Sequence, residues 1–440
     1  MEHVDTLINA RWIIPVEPAG KVFSLHSLAI RDGRILALLP SDEAANRYQA
    51  RRTVDLSEHA LIPGLVNAHT HAAMNLLRGL ADDLPLMRWL EEHIWPAEQR
   101  HVGPEFVHDG VEAACAEMLL GGTTTFNDMY FFPDIAARVA NQAGLRASLG
   151  MIVIDFPSAY GDGPDDYLDK GLALRDHWRD SPLISTAFAP HAPYTVGDDA
   201  LRRVAVLASE LDAPVHMHVH ETAFEVQQSE EAIGQRPLQR LQDLGLLGPG
   251  FMAVHMTQVT EEEITLMARV NASVVHCPES NLKLASGFCP VQALLDAGVN
   301  VALGTDSAAS NNDLDMFSEL RTAALLAKGV SGNAAALPAA QALRMATLNG
   351  ARALGLGEIT GSLEPGKFAD ITAVRLTGLD SEPVFEPLSH LVYSSNRNQV
   401  TDVWVAGRQL LRNRELTTIN RDTVLGKLRH WRELIAATDA

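Results

Sequence analysis

Apolar positions along this chain fall into two rhythms. Over residues 1–60 they form short runs broken by turns. Thr6 to Pro15 carries few charges, and Leu28–Ile30 and Ile35–Leu39 flank Arg31-Asp32-Gly33-Arg34. Asp-Gly between two apolar runs predicts a tight hairpin, since such turns need residues that accept positive φ. Val54 to Ile62 is another run, and the tail repeats the pattern. Phe368 to Val374 is followed by Val403-Trp404-Val405 and Gln409-Leu410-Leu411 around Ala406-Gly407-Arg408. The first segment has too few strands to close a core. The two chain ends are therefore expected to meet in one small β-domain, with the middle inserted between them.

The middle has a longer period. Eight short apolar runs alternate with stretches of helical periodicity, such as Phe106–Leu120, Ala200–Leu211, Glu261–Val270 and Val291–Ala297. The runs are Leu65–His71, Gly122–Asp128, Arg146–Asp155, Ile184–His191, Ala213–His218, Phe251–His255, Ala272–His276 and Val299–Asp306. Alternating strand and helix implies right-handed crossovers and a parallel sheet. Eight such units predict an α/β fold, a (β/α)₈ barrel of TIM type.

Every run ends in His or Asp, and in such a barrel the active site forms at the C-terminal ends of the strands. Leu65-Val66-Asn67-Ala68-His69-Thr70-His71 ends in two histidines at i and i+2, which share one face of a strand. Run five continues as His216-Met217-His218-Val219-His220-Glu221, and runs six and eight end in His255 and Asp306. With 17 histidines in the chain, a His-x-His pair alone means little. Further ligands at the ends of other strands make it a metal site. A first-row cation fits His69, His71, one histidine of run five, and Asp306, leaving a position open for water as a catalytic site requires. Such an ion lowers the pKa of water toward about 7. Glu221 then suits a proton shuttle, and His255 and Asp306 suit orientation of the nucleophile and stabilisation of charge.

Composition narrows the partners. The 440 residues are 47% hydrophobic and 20% charged, with a net charge of −20. This disfavours nucleic acid and anionic membrane surfaces. The first residues lack the basic and apolar regions of a signal peptide. No apolar run approaches the roughly 18–20 residues of a membrane span. Cys115, Cys277 and Cys289 are odd in number and scattered, which fits neither a disulfide framework nor a zinc spacing. A cytoplasmic location is expected.

The set Val66-Asn67-Ala68-His69-Thr70-His71, His218-Val219-His220-Glu221, His255 and Gly304-Thr305-Asp306 resembles the amidohydrolase superfamily, in its mononuclear aminohydrolase branch. The resemblance implies a distorted barrel over 63–365 and a discontinuous β-sandwich domain from 1–62 and 366–440. It implies His69, His71, His218 and Asp306 as metal ligands, Asp306 also as acid/base, Glu221 as shuttle and His255 as an aid to the water. Binuclear relatives carry a lysine at the end of strand four. Ala189-Pro190-His191-Ala192-Pro193-Tyr194 has none, so one divalent ion is expected: zinc first, with iron or manganese as alternatives. His191 then resembles a substrate contact.

Arg78 to Leu86, Trp89-Leu90 and Ile94-Trp95-Pro96-Ala97-Glu98 look like the loop and helix after strand one in 5-methylthioadenosine/S-adenosylhomocysteine deaminases. His276 to Gly287 resembles the same group. There the glutamate matching Glu98 binds ribose hydroxyls, which implies a substrate-binding set of Glu98, His191, Glu221 and Asp306. The implied reaction is hydrolytic deamination of an adenine ring in a small nucleoside. A related ring substrate (guanine, cytosine or a triazine) is the second reading, and an inactive scaffold the third. A homo-oligomer is expected from the architecture. Trp89, Trp95 and Phe288 are candidate pocket walls. His216 and His220 read as packing or ligand-supporting residues, His276 as structural or at the rim, and Asp128 and Asp155 carry no assignment.

Overall fold

The computed structural model describes residues 1–438. Eight strands form the expected parallel sheet in sequence order: Leu65–Thr70, Thr123–Asp128, Arg146–Val153, Ile184–Pro190, Val215–Val219, Phe251–His255, Ser273–His276 and Asn300–Leu303. Neighbours pair in parallel register throughout. The barrel is uneven. Strands four and five share a single ladder position, Phe188 with Val215. The backbone pairing resumes only where the His218 N–H donates to the His191 carbonyl at 3.1 Å.

The seam between the last and first strands has no regular ladder. It is closed by the Asp306 N–H donating to the His69 carbonyl at 3.0 Å. The Asn67 amide completes it, donating to Thr305 Oγ1 at 2.7 Å and accepting from the Thr305 N–H at 3.0 Å. A Cβ on Gly304 would lie 2.7 Å from the His69 nitrogen, so only glycine lets the two strands approach this closely.

Strand alternation explains the sequence. Asn67 and His69 face inward, while Val66 and Ala68 pack outward with Ala351 and Leu354 near the short helix Gly350–Ala353. The covering helices follow the periodicity: Pro104–Leu120, Asp198–Leu211, Glu261–Arg269 and Val291–Asp296. Thr260 and Glu263 cap Glu261–Arg269 reciprocally, which satisfies N-terminal N–H groups that would otherwise lack partners.

The chain ends meet in one eight-stranded sheet. Glu2–Ile13, Phe23–Arg31, Arg34–Pro40 and Tyr48–Pro63 come from the start. Ile371–Arg375, Val400–Val405, Arg408–Arg412 and Glu415–Leu416 come from the tail, and the halves join where Ile371–Arg375 pairs with Tyr48–Pro63. Tyr48–Pro63 is 16 residues long, not the short strand expected, because it pairs with both Glu2–Ile13 and the tail. Asp32 and Gly33 form the expected hairpin turn at φ 52° and 74°. The sheet curls until this turn meets the one at Ala406-Gly407, where the Ala369 N–H donates to the Gly33 carbonyl and the Gly407 N–H to the Ala369 carbonyl.

The last helix, Arg421–Thr438, packs on the barrel instead. Trp431 stacks edge-on against Phe106 and donates to Asp109 at 3.0 Å. Among the described residues no helix is long and apolar enough to cross a membrane.

Candidate metal and catalytic centre

The barrel places the distant histidines together. His69, His71 and His218 each offer a nitrogen, and His69, His255 and Asp306 form a second triad sharing His69. Within each triad the donor atoms lie within 4.8 Å of one another. Asp306 Oδ1 is 3.3 Å from Nε2 of both His69 and His71, and Nε2 of His218 is 3.2 Å from that of His69. Donors on a tetrahedron around zinc, with arms of about 2.1 Å, are separated by about 3.4 Å.

The outer nitrogens explain why these rings aim inward. His69 Nδ1 pairs with His216 Nε2 at 2.9 Å, His71 Nδ1 with the Met129 carbonyl, and His218 Nδ1 with the His191 carbonyl at 2.7 Å. Each leaves Nε2 free to face the centre, as supported ligands do. Burial lowers the pKa of His69 to about 4 and that of His218 well below the usual value. Burial thus favours the neutral form of these rings, the form that ligates a metal. Burial also acts on His71, but its hydrogen bond to Asp306 and the Asp306 charge outweigh it and raise the pKa. Burial works against the Asp306 anion too, yet the His69 and His71 hydrogen bonds hold its pKa well below the carboxylate range. Three imidazoles and one carboxylate around a shared point fit a single divalent ion.

Asp306 sits at φ 60°, uncommon for a residue with a side chain. Its carboxylate accepts from the Ser307 N–H at 2.8 Å and from the Ser280 and Ser310 hydroxyls at 2.6 and 3.0 Å. His255, at φ 75°, pairs Nδ1 with Asn281 Oδ1 at 2.9 Å and faces Glu221 with Nε2, 3.8 Å from Oε2. The Glu225 carboxylate accepts from the His220 and Glu221 N–H groups at 3.0 and 2.7 Å. It thereby shapes the turn that presents Glu221. Burial raises the Glu221 pKa, against the opposing influence of His255.

A cavity of about 850 Å³ opens above the centre and is lined by His71, Glu98, His191, His218, Glu221, His255 and Asp306 among others. All the residues expected in the site thus border it except His69, which lies beneath. Burial raises the Glu98 pKa, and the Tyr130 hydroxyl donates to Glu98 Oε1 at 2.6 Å. Burial lowers His191 to about 3, and its Nδ1 pairs with Thr195 Oγ1 at 2.9 Å.

Trp89 and Trp95 line the cavity as expected, but Phe288 does not and is 54% exposed. Gly287 before it takes φ 136° close to Gln258 and Thr257, and among the described residues none between His255 and Asp306 lines the cavity. His220 turns away, accepting from the Leu238 N–H at 3.1 Å. Asp128 accepts from the Ala72 N–H at 2.7 Å and Asp155 from the Gly197 N–H at 2.8 Å, so both anchor loops. His276 is buried outside the cavity lining. Sequence reasoning missed Tyr130, Ser280, Asn281 and Ser310. Tyr130 lies two residues past the end of strand two, and that position was its only signal.

Residues 60–410 match the Amidohydrolase family. The chain belongs to that family. This amidohydrolase is 52% identical over 434 residues to the 5-methylthioadenosine/S-adenosylhomocysteine deaminase of Teredinibacter turnerae, spanning 99% of this chain and 98% of the relative. It is 51% identical over 436 residues to the protein of the same name from Saccharophagus degradans, spanning 99% and 98%. Among solved structures it resembles a zinc-bound adenosine deaminase from Xanthomonas campestris, with a TM-score of 0.98, 55% identity and 99% of both chains covered. A guanine deaminase from C. acetobutylicum shares the amidohydrolase fold at 22% identity, with a TM-score of 0.82 over 92% of this chain and 99% of that one.

Proposed function

We propose that this amidohydrolase removes ammonia hydrolytically from the adenine ring of 5′-methylthioadenosine-type nucleosides, including S-adenosylhomocysteine and adenosine. The observation that carries the reading is the convergence of His69, His71, His218, Asp306, Glu221 and His255 at one end of a cavity that also holds Glu98. The names of the similar deaminases support the choice of ring and nucleoside.

In this proposal His69, His71, His218 and Asp306 hold one zinc ion. When bound, zinc lowers the pKa of a water molecule to about 7 and makes hydroxide available at neutral pH. The chain's own groups do the rest. Asp306 accepts one water proton as oxygen adds to C6 of the purine. Glu221, whose acid form burial favours, delivers a proton to N1. Asp306 then passes its proton to the amino group, which leaves as ammonia, and Glu221 takes the remaining hydroxyl proton as the C6 carbonyl forms. Both carboxyl groups end as they began. His255 steadies the incoming oxygen, with its ring fixed by Asn281. His191 contacts the base, and Glu98 accepts from the two ribose hydroxyls.

Ammonia release from adenosine, methylthioadenosine, guanine and cytosine by the zinc-loaded protein tests the reading. Turnover of the adenine nucleosides alone is expected. Turnover of guanine or cytosine with none of the nucleosides would replace it.

A further inference from the structure

The two substrates in the names of the similar deaminases share adenine, ribose and a 5′ sulfur. They differ in what the sulfur carries: a methyl group in one, and a homocysteine tail with an ammonium and a carboxylate in the other. The cavity beyond Glu98 is built for one of these.

The helical segment after strand one runs along it. Glu98, Ile94, Trp95, Leu90, Glu91 and Leu86 all face the space, and positions three or four apart on a helix share a face. Met129, Tyr130, Phe131, Ile152, Ile154 and Phe156 line the same cavity. Trp95 and Phe156 stay 37% and 48% exposed, as apolar groups at the mouth. Such a wall suits a thioether and its alkyl substituent.

The charges along this wall are one-sided. Glu91 and Glu98 stand on it, and among the described residues no lysine or arginine lines the cavity. Arg88, near Glu91 in sequence, is paired with Glu92 at 2.8 Å. The tail's ammonium would find carboxylates here. Its carboxylate would face the same acids with only neutral donors such as Gln99 and Ser158 nearby, and a carboxylate held among like charges without a cation is disfavoured. Space is not the limit, because about 850 Å³ lies in the upper part of the usual range for small-molecule sites, about 300–1,000 Å³.

We propose that this pocket selects neutral 5′-thioether nucleosides, with 5′-methylthioadenosine the preferred substrate, and discriminates against the charged homocysteine tail by charge and not by size. The proposal rests on the deaminase reading above and specifies its substrate.

The test compares kcat/KM of the zinc enzyme on 5′-methylthioadenosine, 5′-butylthioadenosine and S-adenosylhomocysteine. The butyl compound matches the homocysteine tail in length without its charges. The two neutral thioethers are expected to fall within about fivefold of one another, with S-adenosylhomocysteine lower by roughly tenfold or more and most of the loss in KM. Equal turnover of S-adenosylhomocysteine and the butyl compound overturns the proposal while the deaminase reading stands. A butyl compound as poor as S-adenosylhomocysteine makes size the cause and also overturns it.

If none of the three releases ammonia, the deaminase reading fails. The affinity ratio of the same compounds for Glu221→Gln, measured by calorimetry, still decides the pocket: preference for the neutral thioethers supports the proposal, and no preference or no binding overturns it. Glu91→Arg supplies a cation at the mouth and should narrow the gap in kcat/KM by about threefold. An unchanged gap counts against selection by charge.

Discussion

Glu221 shows how much a single side chain depends on its surroundings. Its acid form is favoured by burial, its turn is held by Glu225, and His255 stands 3.8 Å away. It is not among the clustered donors of His69, His71 and His218. Glu221→Gln should therefore keep zinc at one ion per chain by elemental analysis and lose activity by about 10²–10⁴-fold. A variant that keeps most of its kcat removes Glu221 from the proton path. Glu98 lines the same cavity. Tyr130→Phe deletes the donor that orients it, and should raise KM for nucleosides by about fivefold with kcat much less changed. Glu98→Ala should cost more, since the proposed ribose contacts go with it. If Glu98→Ala leaves KM for nucleosides unaltered, the ribose is read elsewhere.

At the level of elements, the seam between the first and last barrel strands is where stability and chemistry meet. Asp306 leaves its strand at φ 60° and is tied through its N–H to the carbonyl of His69, itself a proposed ligand. Any movement of one strand shifts a ligand on the other. Gly304→Ala puts a Cβ 2.7 Å from the His69 nitrogen. The His69 Cβ and carbonyl oxygen lie at 2.9 Å as well, so the strands must part. The expected result is weaker zinc retention against a chelator together with a lower Tm, by about 1–3 kcal/mol in stability. Asn67→Ala leaves the Thr305 N–H buried without its partner and should cost a similar amount. An unchanged zinc affinity in both variants would show that the seam does not position the centre.

On the scale of the whole molecule, a metal held as proposed by four groups from three separate strand ends would link folding to occupancy. The unfolded chain has no such site. Removing zinc should lower Tm, and restoring it should raise Tm with free zinc concentration, by about 4 kcal/mol at a thousandfold over Kd. A Tm indifferent to zinc would mean that the four groups do not bind it in the folded state.

Much of this was legible in the chain order. Strands buried on both sides read as continuous apolar runs, and a barrel places their C-terminal ends on one rim. The run ends therefore put His69, His71, one histidine of run five, His255 and Asp306 on that rim, and the family resemblance singled out His218. The Asp-Gly turn was legible for a local reason as well: few residues accept its dihedral angles. Other features had no local signature. Tyr130 beside Glu98 and Ser310 on Asp306 are ordinary residues in ordinary stretches, and Ser280 and Asn281 lie in a stretch noted for its resemblance without a role for either. Phe288 read as a pocket wall, yet it lies outside the cavity lining with its side chain largely exposed. Asp128 and Asp155 end runs just as the proposed ligands do, yet they hold loops. The sequence by itself determined which strands exist, their order and the donors at their tips, because periodicity and chain connectivity are one-dimensional properties. Only the tertiary structure decided which tips share a centre, which neighbours orient them and how apolar the cavity above is, because those depend on distances between residues far apart in the chain.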